Sequence, residues 1–157
     1  MPRHEPWNAE RASEIIARHR HLKGATLPIL HALQETFGCV PEAATPLIAE
    51  ALNLSRAEIH GTVTFYHDFR KEPAGRRVLK LCRAESCQAA GGDALAARAE
   101  SLLGVAMGET TADRRVTLEP VYCLGLCHSS PAAILDNHVH GMLDAAKLDA
   151  LVKEAQS

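Results

Sequence analysis

This sequence predicts an α+β fold, with a helical module first and a small mixed sheet after it. Three observations predict it. Apolar residues recur at helical spacing through roughly the first seventy positions. Past Lys71-Glu72-Pro73-Ala74-Gly75 the pattern changes to short β-branched runs interleaved with helical stripes. Those later runs come in the order strand–helix–strand–strand–helix, the pattern of helices packed on one small mixed sheet. The expected division is 1–72 for an N-terminal helical bundle and 73–157 for the sheet-bearing domain.

The first helix is read from Ala12, Ile15, Ile16 and Leu22, which share one apolar stripe. Ile29, Leu30, Leu33 and Phe37 make the second, which Gly38 closes as its C-cap. Pro41 suits the first turn of a third helix, whose stripe is Ala44, Leu47, Ile48, Ala51 and Leu52. Ser55-x-x-Glu58 is a capping box, so a fourth helix starts at Arg56 and runs to about Phe65. Beyond the boundary, Val78–Leu81 is a strand that ends at Cys82. Leu95, Ala99, Leu102 and Leu103 mark a helix stopped by Gly104. Val116–Val121 is the next strand and Pro131–Leu135 another. Asp136-Asn137 is a turn leading into His138–His140, and Leu148, Leu151 and Val152 define a last helix.

Composition excludes several classes. The 157 residues are 46% hydrophobic, enough for one ordinary domain or two small ones with real cores. A net charge of −2, with both signs interspersed, gives no footprint for nucleic acid. No run approaches the roughly 20 apolar residues of a membrane span. The stretch Met1–Trp7 lacks the apolar segment of a signal peptide, so a cytoplasmic protein is expected. Five cysteines, an odd number, argue against a secreted disulfide framework.

Four of those cysteines form two close pairs, Cys82-x4-Cys87 and Cys123-x3-Cys127, with 35 residues between the pairs. Each pair follows a predicted strand end. Two neighbouring strands would present both loops at one edge of the sheet and gather four sulfurs. Four thiolates suit a [2Fe–2S] centre, and C-x4-C is a known element of such sites. Zinc accepts the same donors, usually at tighter spacing, and two disulfides are open in an oxidising compartment. Spacing favours the cluster and leaves the others standing.

The wider sequence carries a resemblance. The two cysteine pairs, together with Gly61-Thr62-Val63-Thr64-Phe65-Tyr66 upstream, resemble the thioredoxin-like [2Fe–2S] ferredoxin family. That family includes the small cluster-bearing subunit of NADH:quinone oxidoreductase and its relatives in NAD-linked hydrogenases and formate dehydrogenases. The likeness runs from about Leu27 to the C-terminus. The segments Leu52–Gly61 and Thr64–Arg70 look most like the gamma subunit of NAD-dependent formate dehydrogenase. The resemblance implies a thioredoxin-like second domain and a [2Fe–2S] cofactor on Cys82, Cys87, Cys123 and Cys127. It implies one-electron transfer in a multisubunit oxidoreductase beside a flavin-bearing, NAD(H)-binding subunit. The equivalent subunit of respiratory NADH dehydrogenase or of a bidirectional hydrogenase is the alternative, and a zinc-stapled interaction module is the reading from a different class.

Other residues are read around this centre. Ala84, Leu124 and Leu126 are expected to shield it and Gly125 to permit a tight turn, while Gly91-Gly92 either allows close backbone approach or is a simple loop ahead of a helix. Arg83 either offsets cluster charge or is a solvated surface arginine. His128 is expected to lie beside the centre or in solvent rather than to be a ligand, because Rieske ligation needs two histidines on one iron. Cys39 reads as a small buried residue after a helix end. The aromatics of Thr64–Phe69 either pack the two domains together or dock a partner. No dinucleotide fingerprint or Walker loop is present, so no catalytic activity is expected of the chain alone.

Overall fold

The computed structural model describes residues 4–157. The chain divides after Pro73 into two compact units, the second running Ala74–Ser157.

The described residues of the first unit hold four helices: α1 (Ala9–His19), α2 (Thr26–Phe37), α3 (Ala44–Leu52) and α4 (Arg56–Phe65). Their apolar stripes meet in one core of Ala12, Ile15, Ile16, Ile29, Leu30, Leu33, Phe37, Ala44, Ile48, Ile59 and Val63, joined by Phe69. The predicted capping box is present. The Ser55 hydroxyl accepts from the Glu58 N–H at 3.2 Å, and the Ser55 N–H donates to the Glu58 carboxylate at 2.8 Å. Thr62 and Thr64 fit into α4 because their hydroxyls donate back to the carbonyls of Glu58 and His60, both at 2.9 Å. Two expectations fail here. Leu22 lies past the end of α1 and is exposed. Pro41 sits in the turn before α3, where its carbonyl accepts from the Ala44 N–H at 2.9 Å, rather than in the helix.

The second unit is a four-stranded sheet in the order β2-β1-β3-β4, formed by β1 (Arg77–Cys82), β2 (Val116–Val121), β3 (Ala133–Leu135) and β4 (His138–His140). β1 and β2 are parallel, and the other two pairings are antiparallel. The unit's helices are α5 (Glu85–Ala89), α6 (Gly92–Leu103) and α7 (Ala145–Gln156). Leu79, Leu81, Val116, Leu118, Ala133 and Leu135 of the sheet form a core with Ala96, Ala99 and Leu103 of α6 and Leu148, Leu151 and Val152 of α7.

Three features of this unit depart from expectation. Leu102 is 44% exposed and outside the core. β3 begins at Ala133, after a cis Ser130–Pro131 bond, rather than at Pro131. The helix α5 has no counterpart among the predicted elements. The outer edge of β2 is covered by residues 108–111. The N–H groups of Gly108 and Thr111 donate to the carbonyls of Leu118 and Val116 at 2.7 and 2.8 Å, and the Leu118 N–H donates to the Glu109 carbonyl at 2.9 Å. Among the described residues no helix is long and apolar enough to cross a membrane.

Candidate metal centre

The parallel pairing of β1 and β2 sets Cys82 directly beside Val121. The chain leaves β2 there, passes Tyr122 and reaches Cys123, so both cysteine loops open from the same end of the sheet. Backbone bonds fasten the junction: the Arg83 N–H donates to the Val121 carbonyl at 2.8 Å, and the Cys82 N–H to the Ala132 carbonyl at 3.0 Å. Cys87 is carried inward by α5. The four positions thus fall into an inner and an outer pair. Cys82 and Cys87 are buried, at 5% and 2% exposure, in an apolar nest with Ala132. Ala84, Val121, Leu124 and Leu126 pack against that nest, which includes the three residues expected to shield it. Cys123 and Cys127 are exposed.

The outer pair is shaped by its backbone. Cys123 has φ 88°, a left-handed conformation that costs a non-glycine residue of order 1–3 kcal/mol. Gly125 also has positive φ, at 74°, as the tight turn requires. These two turns bring the Gly125 N–H to 3.3 Å from the Cys123 sulfur and set the Cys123 and Cys127 sulfurs 3.6 Å apart. Two thiolates about 2.3 Å from one tetrahedral metal lie about 3.8 Å apart. The outer pair therefore has the spacing of two ligands on one tetrahedral ion. Among the described residues no three His, Cys, Asp or Glu side chains gather as a single-ion site.

The metal-free thiols influence one another. Burial pushes Cys82 up, but hydrogen bonds from the Ala84 N–H, from the Cys87 thiol and from the N–H groups of Cys123 and Leu124 outweigh it. Cys82 therefore ionises more readily than an ordinary cysteine. Cys87 is raised, first by burial and then by Cys82 and Cys127. Cys127 is raised chiefly by its contact with Cys123, with Cys82 adding to the effect. Each ionised sulfur thus opposes ionisation of the next. A cationic metal centre relieves that opposition, so the donor set fits an iron–sulfur cluster in its chemistry.

Gly92, at the start of α6, lies against Cys87, and a Cβ there would sit 2.6 Å from the Cys87 carbonyl oxygen. Only glycine lets α6 start so close behind α5. Arg83 is half-buried: it pairs at the surface with Asp93 at 3.0 Å, while its Nε is buried without a hydrogen-bond partner. His128 is exposed. Cys39 is buried in the helical unit, where burial first and Glu72 second raise its pKa. Phe69 belongs to that unit's own core, whereas Phe65 and Tyr66 are exposed. Sequence reasoning missed α5 and the left-handed Cys123. Gly91-Gly92 is the sequence feature that could have signalled the tight junction between α5 and α6.

Comparison with known proteins decides the family. The profile described as thioredoxin-like [2Fe–2S] ferredoxin matches residues 12–156, beginning upstream of the expected Leu27. The chain belongs to the thioredoxin-like [2Fe–2S] ferredoxin family. The family's cofactor is a [2Fe–2S] cluster. Among relatives, the second E-type subunit of NADH-quinone oxidoreductase from Rhizobium meliloti (strain 1021) is 38% identical over 144 residues, which cover 92% of this chain and 86% of that protein. The E-type subunit of the same enzyme from Pseudomonas aeruginosa is 35% identical over 119 residues, covering 76% and 72%. Its counterpart from Escherichia coli (strain K12) is 31% identical over 131 residues, covering 83% and 79%. The crystal structure of an NAD+-reducing [NiFe]-hydrogenase in the air-oxidised state superposes with a TM-score of 0.69 at 29% identity. The match covers 83% of this chain and 22% of that one, so this chain spans about a fifth of the hydrogenase chain.

Proposed function

We propose that this chain holds a [2Fe–2S] cluster on Cys82, Cys87, Cys123 and Cys127 and carries single electrons as the counterpart of the E-type subunit in an NADH-quinone oxidoreductase. The observation that carries the ligand assignment is the 3.6 Å spacing of the Cys123 and Cys127 sulfurs beside the buried Cys82–Cys87 nest. When bound, the cluster supplies reversible one-electron chemistry. The chain's own residues do the rest. Cys82 and Cys87 anchor the centre in apolar surroundings, which lower its potential, while N–H groups directed at the sulfurs, such as that of Gly125, raise it. The exposed Cys123 and Cys127 give the face across which an electron would pass.

The likeness to NADH-quinone oxidoreductase subunits over most of both chains supports this complex. The hydrogenase match supports an NAD-linked setting more broadly. The formate dehydrogenase reading rests on the Leu52–Gly61 and Thr64–Arg70 segments alone and takes second place. The partner we propose is a flavin-bearing, NAD(H)-binding subunit, with the exposed Phe65 and Tyr66 of the helical module as one contact. Alone, the chain would oxidise no NADH.

Anaerobically purified protein should be red-brown, with iron and acid-labile sulfide at about two each per chain. Colourless protein with one zinc per chain would support the zinc-stapled module instead. Co-expression with candidate partners should return a complex with the quinone-linked flavoprotein subunit. Exclusive recovery of a formate dehydrogenase subunit set would reverse the ranking.

A further inference from the structure

The two cysteine loops are joined by side chains as well as by backbone. Ser86, inside α5 and next to Cys87, directs its hydroxyl at the carbonyl of Cys127 at 3.0 Å. The same hydroxyl lies 2.8 Å from the hydroxyl of Ser130, which also donates to the Cys127 carbonyl. Both serines are half-buried. The Cys127 carbonyl oxygen has two lone pairs, and two hydroxyls converge on it. Ser130 belongs to the same loop as Cys127, so its bond is local. Ser86 belongs to the other loop, 41 positions away, and its bond crosses between the ligand pairs. The Cys127 peptide is thereby fixed relative to Cys87.

We propose that Ser86 is a positioning residue that holds the outer thiolate pair at a set distance from the inner pair. The inference rests on the four-cysteine reading above. Cys123 and Cys127 sit on an exposed loop with two left-handed residues, whereas Cys82 and Cys87 are anchored in a strand and a helix. The outer loop is tied to β1 where the N–H groups of Cys123 and Leu124 meet the Cys82 sulfur, and the Ser86–Cys127 bond is the tie from α5 at its far end. A cluster bound across both pairs would experience the loss of this tie as a change in sulfur positions, not as a loss of ligands. Alanine is a good helix former, so Ser86→Ala leaves α5 itself intact.

The test uses the full chain with its cluster. Release of iron to a ferrous chelator and the electron paramagnetic resonance spectrum of the dithionite-reduced protein are measured for Ser86→Ala, Ser86→Thr and the Ser86→Ala/Ser130→Ala double variant. Ser86→Ala should release iron about tenfold faster, the effect of losing one well-made hydrogen bond, and should show altered g-values. Ser86→Thr keeps the hydroxyl and should restore both. The double variant should be no faster than Ser86→Ala, because the Ser130 bond to Cys127 lies within the outer loop and does not cross to α5. Wild-type release and spectrum in Ser86→Ala would overturn the proposal, as would a double variant whose loss multiplies that of the single. Those results leave the four-cysteine reading untouched. A wild-type chain that takes up no iron and sulfide would instead remove that reading and this inference together.

Discussion

Gly92→Ala tests how tightly α6 is set against α5, which carries Cys87. The added Cβ would lie 2.6 Å from the carbonyl oxygen of Cys87 and 3.0 Å from its carbonyl carbon. Both are backbone atoms, so no flexible side chain can swing aside. The oxygen must retreat by about 0.8 Å to reach ordinary contact, and overpacking of this kind costs about 1–3 kcal/mol. Alanine in place of glycine within a helix returns about 0.5–1 kcal/mol. The net expectation is a loss of about 0–2.5 kcal/mol, together with a displaced Cys87. Gly61→Ala is the matched control, because it lies within α4 with nothing inside 4 Å of the new methyl. The control should gain about 0.5–1 kcal/mol and leave the cluster unaffected. Urea unfolding gives the two stabilities, and chelator-driven bleaching gives the cluster lifetimes. Equal stability and equal bleaching in the two variants would show that the Cys87–Gly92 contact constrains nothing.

Three further outcomes are expected. Serine in place of Cys82, Cys87, Cys123 or Cys127 should abolish or severely destabilise the cluster, whereas Cys39→Ser, in the helical unit, should leave the reduced-state resonance signal unchanged. Cluster reconstitution into the metal-free chain should accelerate as pH rises. Cys87 and Cys127 have raised pKa values and keep their protons at neutrality, so each must lose one before ligation. A flat rate between about pH 7 and about pH 9 would refute this. A fragment beginning near Ala74 should still load its cluster, since every strand and all four cysteines lie beyond that point, but should bind partner subunits more weakly. Failure of the fragment to load would show that the two units fold cooperatively.

What the sequence made legible follows from the range of each signal. Helices α2 to α4 could be read because their apolar residues repeat over nine or more positions and carry local stop and start marks, such as Gly38 and the Ser55–Glu58 box. The two cysteine pairs stand out by spacing, which alone left cluster, zinc and disulfides open. Periodicity misled where a leucine continued a stripe past the surface that needed it, as Leu22 and Leu102 did. α5 escaped because five residues, Glu85–Ala89, are too few to show a helical repeat. The φ of Cys123 escaped for another reason. Left-handed backbone is announced by glycine or asparagine, and here tertiary context imposes it on a cysteine.

The covered edge of β2 also determines how this domain can meet another protein. Residues 108–111 occupy the outward N–H and C=O groups of the strand as far as Leu118. The next outward-facing position, Pro120, has no N–H to offer. A visiting strand finds no ladder to extend on this side, so the sheet cannot recruit copies of itself or foreign peptides by strand addition there. A chain waiting for its cluster is protected from edge-to-edge capture at β2. Recognition on that flank must be made by side chains and is therefore selective for shape and charge rather than open to any extended backbone.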